Sequence, residues 1–331
     1  MNTRLLGLHG PRVSAIGLGC MAMSGLYGPT NEAESIATIR ASLDAGITLL
    51  DTGDFYGMGH NEMLIREALR GVRREDVVLS VKFGALRDPS GGWSGYDCRP
   101  KAVRNFLAYS LKRLGVDYVD IYRPARLDRA VPIEDTIGAI AELTKAGYVR
   151  HVGLSEVGAE TIRRAASVCP ICDLQIEYSL ISRGIEARIL PTCRDLGIGI
   201  TAYGVLSRGL ISGHWGREQS ARDPRQRFPR FMSPNLEHNL GLVESLRSVA
   251  DGKGVTVAQL AIAWVAAQGN DIVPLVGARR RESLSEALGA FAITLTTADL
   301  ARIEAAVPSG AGAGERYAPP SMQDLDSERD S

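Results

Sequence analysis

Three ionisable residues stand at the ends of short apolar runs early in the chain: Asp51 in ITLLDTGDFYG, Tyr56 five positions later, and Lys82 in VVLSVKFG. A phenol ionises near pH ~10, too high for easy proton exchange at neutrality, but a nearby ammonium favours the phenolate and brings that value down. A carboxylate beside the ammonium would keep it charged and oriented. A tyrosine placed this way can give a proton to a carbonyl oxygen as the carbon accepts hydride, or remove it in the reverse direction. The hydride must come from a cofactor. Two other readings fit the same residues. Asp51 and Lys82 can be a structural ion pair with Tyr56 a loop aromatic, or Lys82 can form a Schiff base in a lyase, which requires a neutral amine and is opposed by Asp51.

The trio acts together only if its strands are neighbours, and the rest of the chain supplies the frame for that. A helix-period segment, a glycine and a short apolar strand recur in LDAGITLLDT, KRLGVDYVDIY, TKAGYVRHVGLS and RDLGIGITAY, at Gly46, Gly115, Gly147 and Gly197. Glycine suits the left-handed position that ends a helix, and runs apolar on both faces are strands covered on both sides. With AIGLG, VVLSVKFG, CDLQIEYS and DIVPLVG there are eight candidate strands, each followed by room for a helix. Such alternation predicts a parallel sheet, most simply closed into a (β/α)8 barrel, an α/β TIM barrel that 331 residues can fill. A doubly wound sheet is the rival, but no GxGxxG follows any candidate strand; GMGHNE after Phe55 lacks the third glycine.

Between Tyr203 and Ile272 the spacing is broken by HWGREQSARDPRQRFPRF, a long Arg- and Pro-rich insertion assigned to the ligand face, and then by helical segments around Leu242 and Leu260. Residues 1–308 are expected to form the barrel and 309–331 a tail, partly disordered at its end. Arg316 and Tyr317 are the large groups in that tail, which either folds over the barrel mouth or is a solvated linker. The loops around Leu26, Trp93 and Trp215 are expected to shape the substrate pocket.

Composition narrows the partners. Lys plus Arg and Asp plus Glu are each 38, which leaves no excess charge to concentrate on nucleic acid or an anionic membrane. No apolar stretch is long enough to cross a bilayer, and MNTRLLGLHGPRVSAIGLG does not read as a secretory signal. Five cysteines, an odd number in a large chain, point to a reducing compartment, so a cytoplasmic location is expected. The one close pair, Cys169 and Cys172, is read as two small apolar residues at a helix-to-strand junction, and no metal site is expected.

DTGDFYGMGHNE resembles the signature of the aldo-keto reductase superfamily, and VKFG, DYVDIY, VPIEDTIGAI, VGLSE, LQIEYS, TAYGVLSRGLISG and VPLVGARRRESLSEAL follow it in order. The resemblance runs from about Leu5 to Pro308. It implies a (β/α)8 barrel that binds NADPH without a Rossmann domain and reduces aldehydes or ketones to alcohols. Tyr56 would be the proton donor, Lys82 its tuning group and Asp51 the residue that holds Lys82. That family's tetrad has a histidine soon after the fourth strand. In DYVDIYRPARLD that position is Ala125, which cannot donate a hydrogen bond, so a water or another side chain takes over, with Arg123 and Arg126 the nearest donors, or turnover is slower. His60 and His151 are read as structural. A barrel that binds NADPH for regulation, with little turnover, is the alternative of a different class.

The same resemblance implies the cofactor contacts. Tyr203 matches the aromatic residue that stacks on the nicotinamide, and Ser155 and Gln175 match the groups that bond its carboxamide. Glu156 stands where the family usually has Asn, and a carboxylate cannot reproduce an amide's pattern of donor and acceptor. The backbone at Gly19, Cys20 and Met21, with Asp51, lies beside the ribose, and Gly204, Leu206, Ser207 and Arg208 belong to the pyrophosphate loop. Gly277, Arg279, Arg280 and Ser283 match the end that holds adenosine and its 2′-phosphate, where a guanidinium offers paired donors to phosphate oxygens. Arg281 supports them, Glu286 meets the adenine amino group, and Ala287 replaces an Asn. The expected cofactor is therefore NADPH/NADP+ and the expected partner a small carbonyl substrate.

Overall fold

The computed structural model describes residues 1–25, 27–215 and 223–329. Leu26, named above as a pocket loop, and part of the Arg-rich insertion lie outside them. Eight parallel strands close into a barrel in chain order: β1 (Gly17–Gly19), β2 (Leu49–Gly53), β3 (Val78–Phe83), β4 (Val119–Pro124), β5 (Val149–Ser155), β6 (Ile171–Glu177), β7 (Gly199–Tyr203) and β8 (Ile272–Gly277). These are the eight runs that the sequence marks. All four punctuating glycines have positive φ, from 67° at Gly197 to 87° at Gly46, so each turns the chain out of a helix where a side chain would be strained.

The surrounding helices are α1 (Glu32–Asp44), α2 (His60–Ala68), α3 (Pro100–Leu114), α4 (Ile133–Lys145), α5 (Ala159–Ala166), α6 (Ile189–Asp195), α7 (Asn235–Asp251), α8 (Val257–Ala267), α9 (Arg281–Gly289), α10 (Thr297–Ala306) and α11 (Pro319–Gln323). The helices that follow the strands pack one face on the outside of the sheet. Leu64 and Ile65 of α2, Val103 and Leu107 of α3 and Ile137 and Ile140 of α4 are fully buried against Leu79, Val81, Phe83 and Tyr122. The expected helices around Leu242 and Leu260 are α7 and α8, the latter opened by a reciprocal Thr256–Gln259 capping box.

Two hairpins lie outside the barrel sheet. Thr3–Leu5 pairs with Arg12–Ser14, and Leu6 and Val13 beside it pack on Leu49, Ile121, Cys172 and Val273, plugging the end from which the strands start. Ala85–Arg87 pairs with Trp93–Tyr96 and stands beside the opposite end, the mouth. Residues 309–329, for which composition predicts partial disorder, run over that mouth and include α11. Buried Arg316 holds them there, because two carboxylates of the barrel take its guanidinium.

Candidate active site

Inside the barrel the polar residues bond to one another in a chain. Thr201 donates to Asp173, which also takes Arg123 Nη1 at 2.8 Å. Arg123 Nη2 bonds Ser80 Oγ at 3.0 Å, and Ser80 Oγ donates to Asp51 Oδ2 at 2.8 Å, where Gln175 Nε2 arrives at 2.7 Å. Asp51 Oδ1 holds Lys82 Nζ in an ion pair. Asp51 lies opposite Ser80, and Lys82 opposite Gly53, so both side chains project inward from adjacent strands two register positions apart. Burial makes this arrangement obligatory: a charge shut away from water must be paired and hydrogen-bonded.

Tyr56 follows β2 on a short turn in which Gly57 and Met58 take positive φ. Asn61 locks that turn. Fully buried, it accepts from Thr52 Oγ1 at 2.7 Å and donates to the Cys20 carbonyl and to Ser24 Oγ, both at 2.8 Å. Lys82 Nζ sits 5.2 Å from the centre of the Tyr56 ring, and Phe55 meets that ring edge-on at 4.8 Å. The predicted trio is thus brought together.

Its electrostatics differ from expectation. Burial and the Asp51 charge push the Tyr56 phenol well above its ordinary value, and the cation that pulls against them is Arg126. Burial also lowers the Lys82 ammonium, with Asp51 opposing. The sequence predicts a phenol made more acidic by Lys82. Folding yields one kept protonated, because loss of water disfavours the anion more than the local cations favour it.

Ala125 is buried after β4, in a small apolar cluster with Phe55 and Ala85 against which Tyr56 and Tyr96 pack. The two arginines flanking it have separate fates. Arg123 belongs to the buried chain beneath the mouth, whereas Arg126 lies beyond the strand end, half-buried, with Nη1 donating to the Ala125 carbonyl at 2.7 Å. His60 Nδ1 lies 3.0 Å from Ser24 Oγ and His151 Nδ1 lies 2.8 Å from the His9 carbonyl, structural places for both.

Across the mouth, Glu156 is fully buried with φ 53°, and its two oxygens take five donors. Oε1 accepts from Tyr203 Oη (2.7 Å), the Glu177 amide (3.0 Å) and Arg316 Nη1 (3.1 Å), and Oε2 from Arg316 Nη2 and Ser327 Oγ (both 2.8 Å). Burial raises its pKa, but Arg316 and its hydrogen bonds outweigh burial and leave the carboxyl below the ordinary range. Glu177 is likewise kept ionised by Arg316, Arg208 and Arg230 against burial. Tyr317 Oη lies 3.1 Å from Tyr203 Oη. Arg316 and Tyr317 were legible only as large groups in a thin tail, and the parts played by Glu177 and Arg230 gave no sequence signal.

Gly19 lies in register with Gly277 on one side and Asp51 on the other, so backbone is exposed along this rim. A Cβ on either glycine would meet its nearest neighbour only at 3.5 Å or more. Buried Cys20 braces the strand end, its amide donating to the Asp51 carbonyl at 2.9 Å, and Met21 opens the turn that follows. Ser155 and Gln175 are register partners, and Ser155 Oγ is buried with no hydrogen-bond partner among the described residues. After β7, Gly204, Leu206, Ser207 and Arg208 form a tight loop in which Ser207, Arg208 and Gly209 all have positive φ. Arg208 stacks on Phe228 and Tyr317 at 4.4 and 4.5 Å.

At the start of α9 a cavity of about 890 Å³ is lined by Pro29, Thr30, Asn31, Glu34 and residues 279–282. Arg281 is taken by Glu34 at 3.0 Å, leaving Arg279 and Arg280 to face the cavity, with Ser283 on the first turn of the helix. Burial and then the Arg280 and Arg225 charges lower the Arg279 pKa, so the cations here repel one another. Glu286 accepts from His214 at 3.0 Å.

The donors along this rim suit a nicotinamide dinucleotide: an unpartnered buried hydroxyl beside Gln175, an aromatic ring at Tyr203, exposed glycine backbone, and crowded guanidinium groups at a helix N-terminus. Comparison with known proteins agrees. Residues 15–308 match the Aldo/keto reductase family. The chain is 41% identical over 316 residues to a probable aldo-keto reductase 1 of Glycine max, an alignment covering 94% of this chain and 90% of that protein. Among solved structures, the glycerol dehydrogenase of Gluconobacter oxydans superposes with a TM-score of 0.85 at 27% identity, covering 96% of this chain and 98% of the other. A thermostable aldo-keto reductase solved with the inhibitor epalrestat superposes with a TM-score of 0.75, also at 27% identity, covering 92% and 100%. A closed eight-stranded barrel, with a buried Asp–Lys pair under a tyrosine at its mouth and a match along nearly its whole length, makes this chain a member of the aldo/keto reductase family, an NAD(P)H-dependent oxidoreductase of small carbonyl compounds.

Proposed function

We propose that the protein reduces an aldehyde or ketone to the alcohol with NADPH, and that Tyr56 gives the proton. When bound, the reduced nicotinamide supplies hydride to the carbonyl carbon. Tyr56 Oη donates its proton to the carbonyl oxygen, and a phenol kept protonated by burial is in the right state to do so. Lys82 lies under the ring and limits the charge that builds as the proton leaves, while Asp51, braced by Ser80 and Gln175, holds the ammonium in place. The observation that carries this reading is the placement of the Asp51–Lys82 pair directly against the Tyr56 ring.

The cofactor is held by the rim. Ser155 and Gln175 meet the carboxamide and Tyr203 stacks on the ring; the backbone of Gly19 and Met21, with Cys20 and Asp51 behind it, borders the ribose. Gly204, Leu206, Ser207 and Arg208 hold the pyrophosphate. Gly277, Arg279, Arg280 and Ser283 take the adenosine 2′-phosphate, and Glu286 the adenine. NADPH is preferred over NADH because a phosphate dianion between Arg279 and Arg280 relieves the repulsion between them. The five free cysteines fit a reducing compartment, and we assign the activity to the cytoplasm.

Consumption of NADPH with a panel of aldehydes and ketones tests the proposal. Tyr56→Phe should leave the NADPH dissociation constant nearly unchanged and cut turnover by ~10²–10⁴-fold. Turnover equal to wild type removes Tyr56 as the donor.

A further inference from the structure

The mouth lacks an imidazole at Ala125, yet it keeps one cation that the reaction scheme has not used. Arg126 follows Ala125 directly and is half-buried beyond the end of β4. Among the described residues its guanidinium makes one hydrogen bond, from Nη1 to the Ala125 carbonyl 2.7 Å away, and no carboxylate forms an ion pair with it. The guanidinium lies within electrostatic reach of the hydroxyls of Tyr56, Tyr96, Tyr203 and Tyr317, and of Glu156.

The charges nearest the proposed reaction centre are otherwise committed. Asp51 is paired with Lys82, and Glu156 and Glu177 with Arg316, with Arg230 also on Glu177. Arg123 is spent on Asp173 and Ser80. Arg208 stacks on Phe228 and Tyr317 in the loop assigned to pyrophosphate. Among the described residues, Arg126 is thus a cation beside Ala125 with no carboxylate paired to it.

A guanidinium presents several N–H groups in a planar fork that matches two neighbouring oxygens, and it stays charged at any working pH. We propose that Arg126 binds substrate directly, donating to the carbonyl oxygen that Tyr56 protonates and to a second oxygen on the adjoining carbon, and that the preferred substrates are 2-oxo acids. The inference rests on the reading of the site as a carbonyl reductase. The carbonyl carbon gains hydride, its oxygen gains the Tyr56 proton, the products are a 2-hydroxy acid and oxidised cofactor, and the tyrosinate recovers its proton from water. The charge of Arg126 also stabilises the developing oxyanion, the task for which Ala125 has no donor.

Phenylglyoxylate and acetophenone test this, since both are phenyl ketones and differ in carboxylate against methyl. Wild type should favour phenylglyoxylate in kcat/KM by at least ~10-fold, and Arg126→Met should cut kcat/KM for phenylglyoxylate by ~10²-fold and erase most of that preference. Calorimetric binding of phenylglyoxylate to the protein loaded with NADP+, where no turnover occurs, should weaken ~10-fold or more in the variant. Arg126→Lys keeps the charge without the fork, so it should recover part of the rate and little of the preference. It carries the test if the Met variant does not fold. A preference unchanged in both variants, or a wild type that favours acetophenone, overturns the inference. Absence of NADPH oxidation with every carbonyl, with Arg126-dependent phenylglyoxylate binding intact, would instead overturn the reductase reading.

Discussion

Two buried ion clusters face each other across the barrel mouth, and they are assembled in different ways. On one side Asp51 and Lys82 come from adjacent strands, and Ser80 and Gln175 on the same barrel complete the donor set. On the other side Glu156 follows β5, and Glu177 and Tyr203 end β6 and β7, but the charge of the two carboxylates is balanced from far along the chain. Arg230 lies 53 residues from Glu177, and Arg316 lies 139 and 160 residues from Glu177 and Glu156. The first cluster closes as soon as the barrel does. The second leaves two carboxylates uncompensated until the insertion and the tail dock, which couples the order of the tail to the integrity of the mouth. The proposed chemistry thus sits where the charges are paired between adjacent strands, and the walls around it are held by contacts that require the insertion and the tail.

This contrast can be broken most forcefully at Arg316. Arg316→Met strands Glu156 and Glu177 without their shared cation and should cost ~3–5 kcal/mol, read from urea unfolding. Adding Glu156→Gln should return a large part of that loss, and a cost within ~0.5 kcal/mol would mean that the tail is merely draped on the barrel. On the local side, Lys82→Met should lower turnover by ~10²-fold or more with NADPH affinity little changed. A comparable fall in affinity would show that the pair serves cofactor binding more than proton transfer.

A third test lies beneath the reaction centre. Asp54 is packed beside Glu62, Arg113, Tyr122 and Cys98, and burial together with the Glu62 charge pushes its carboxyl up to about 8, against the Arg113 charge and the Gly84 and Phe55 amides. In the unfolded chain the same group ionises near ~4. Between these values the folded protein binds the extra proton, so stability falls as pH rises through that window and levels off above it. Asp54→Asn should therefore be more stable than wild type at pH 8.5 by more than ~1.4 kcal/mol, with the gap closing toward pH 4. Parallel stability curves would show that Asp54 ionises freely. The smallest effect is expected at the exposed rim, where Arg280→Ala should weaken NADPH binding by about tenfold or less and leave NADH binding unchanged.

Much of the frame was legible because parallel strands covered on both faces must be apolar, and because a helix that turns back into a strand needs a residue free to take positive φ. Asp51, Lys82 and Tyr56 stood out as polar residues at the ends of such runs. What could not be read was water content. A phenol beside an ammonium reads as acidified, yet burial reverses the direction. Nor did sequence separate Arg123 from Arg126, three positions apart. One falls inside the closed barrel and the other past the strand end, so one is consumed by Asp173 and the other bonds the Ala125 carbonyl with no carboxylate paired to it among the described residues.

Strand order and the meeting of Asp51, Lys82 and Tyr56 were determined by the sequence alone, since both depend on short-range pattern and on neighbours that a barrel topology makes adjacent, whereas the loops we assign to a dinucleotide were marked by resemblance to the family. The partners of Glu156 and Glu177, the protonation of Tyr56 and the role open to Arg126 were decided only by tertiary structure. Each depends on which groups from distant segments share a space that excludes water, and on how far that exclusion raises the free energy of a charge.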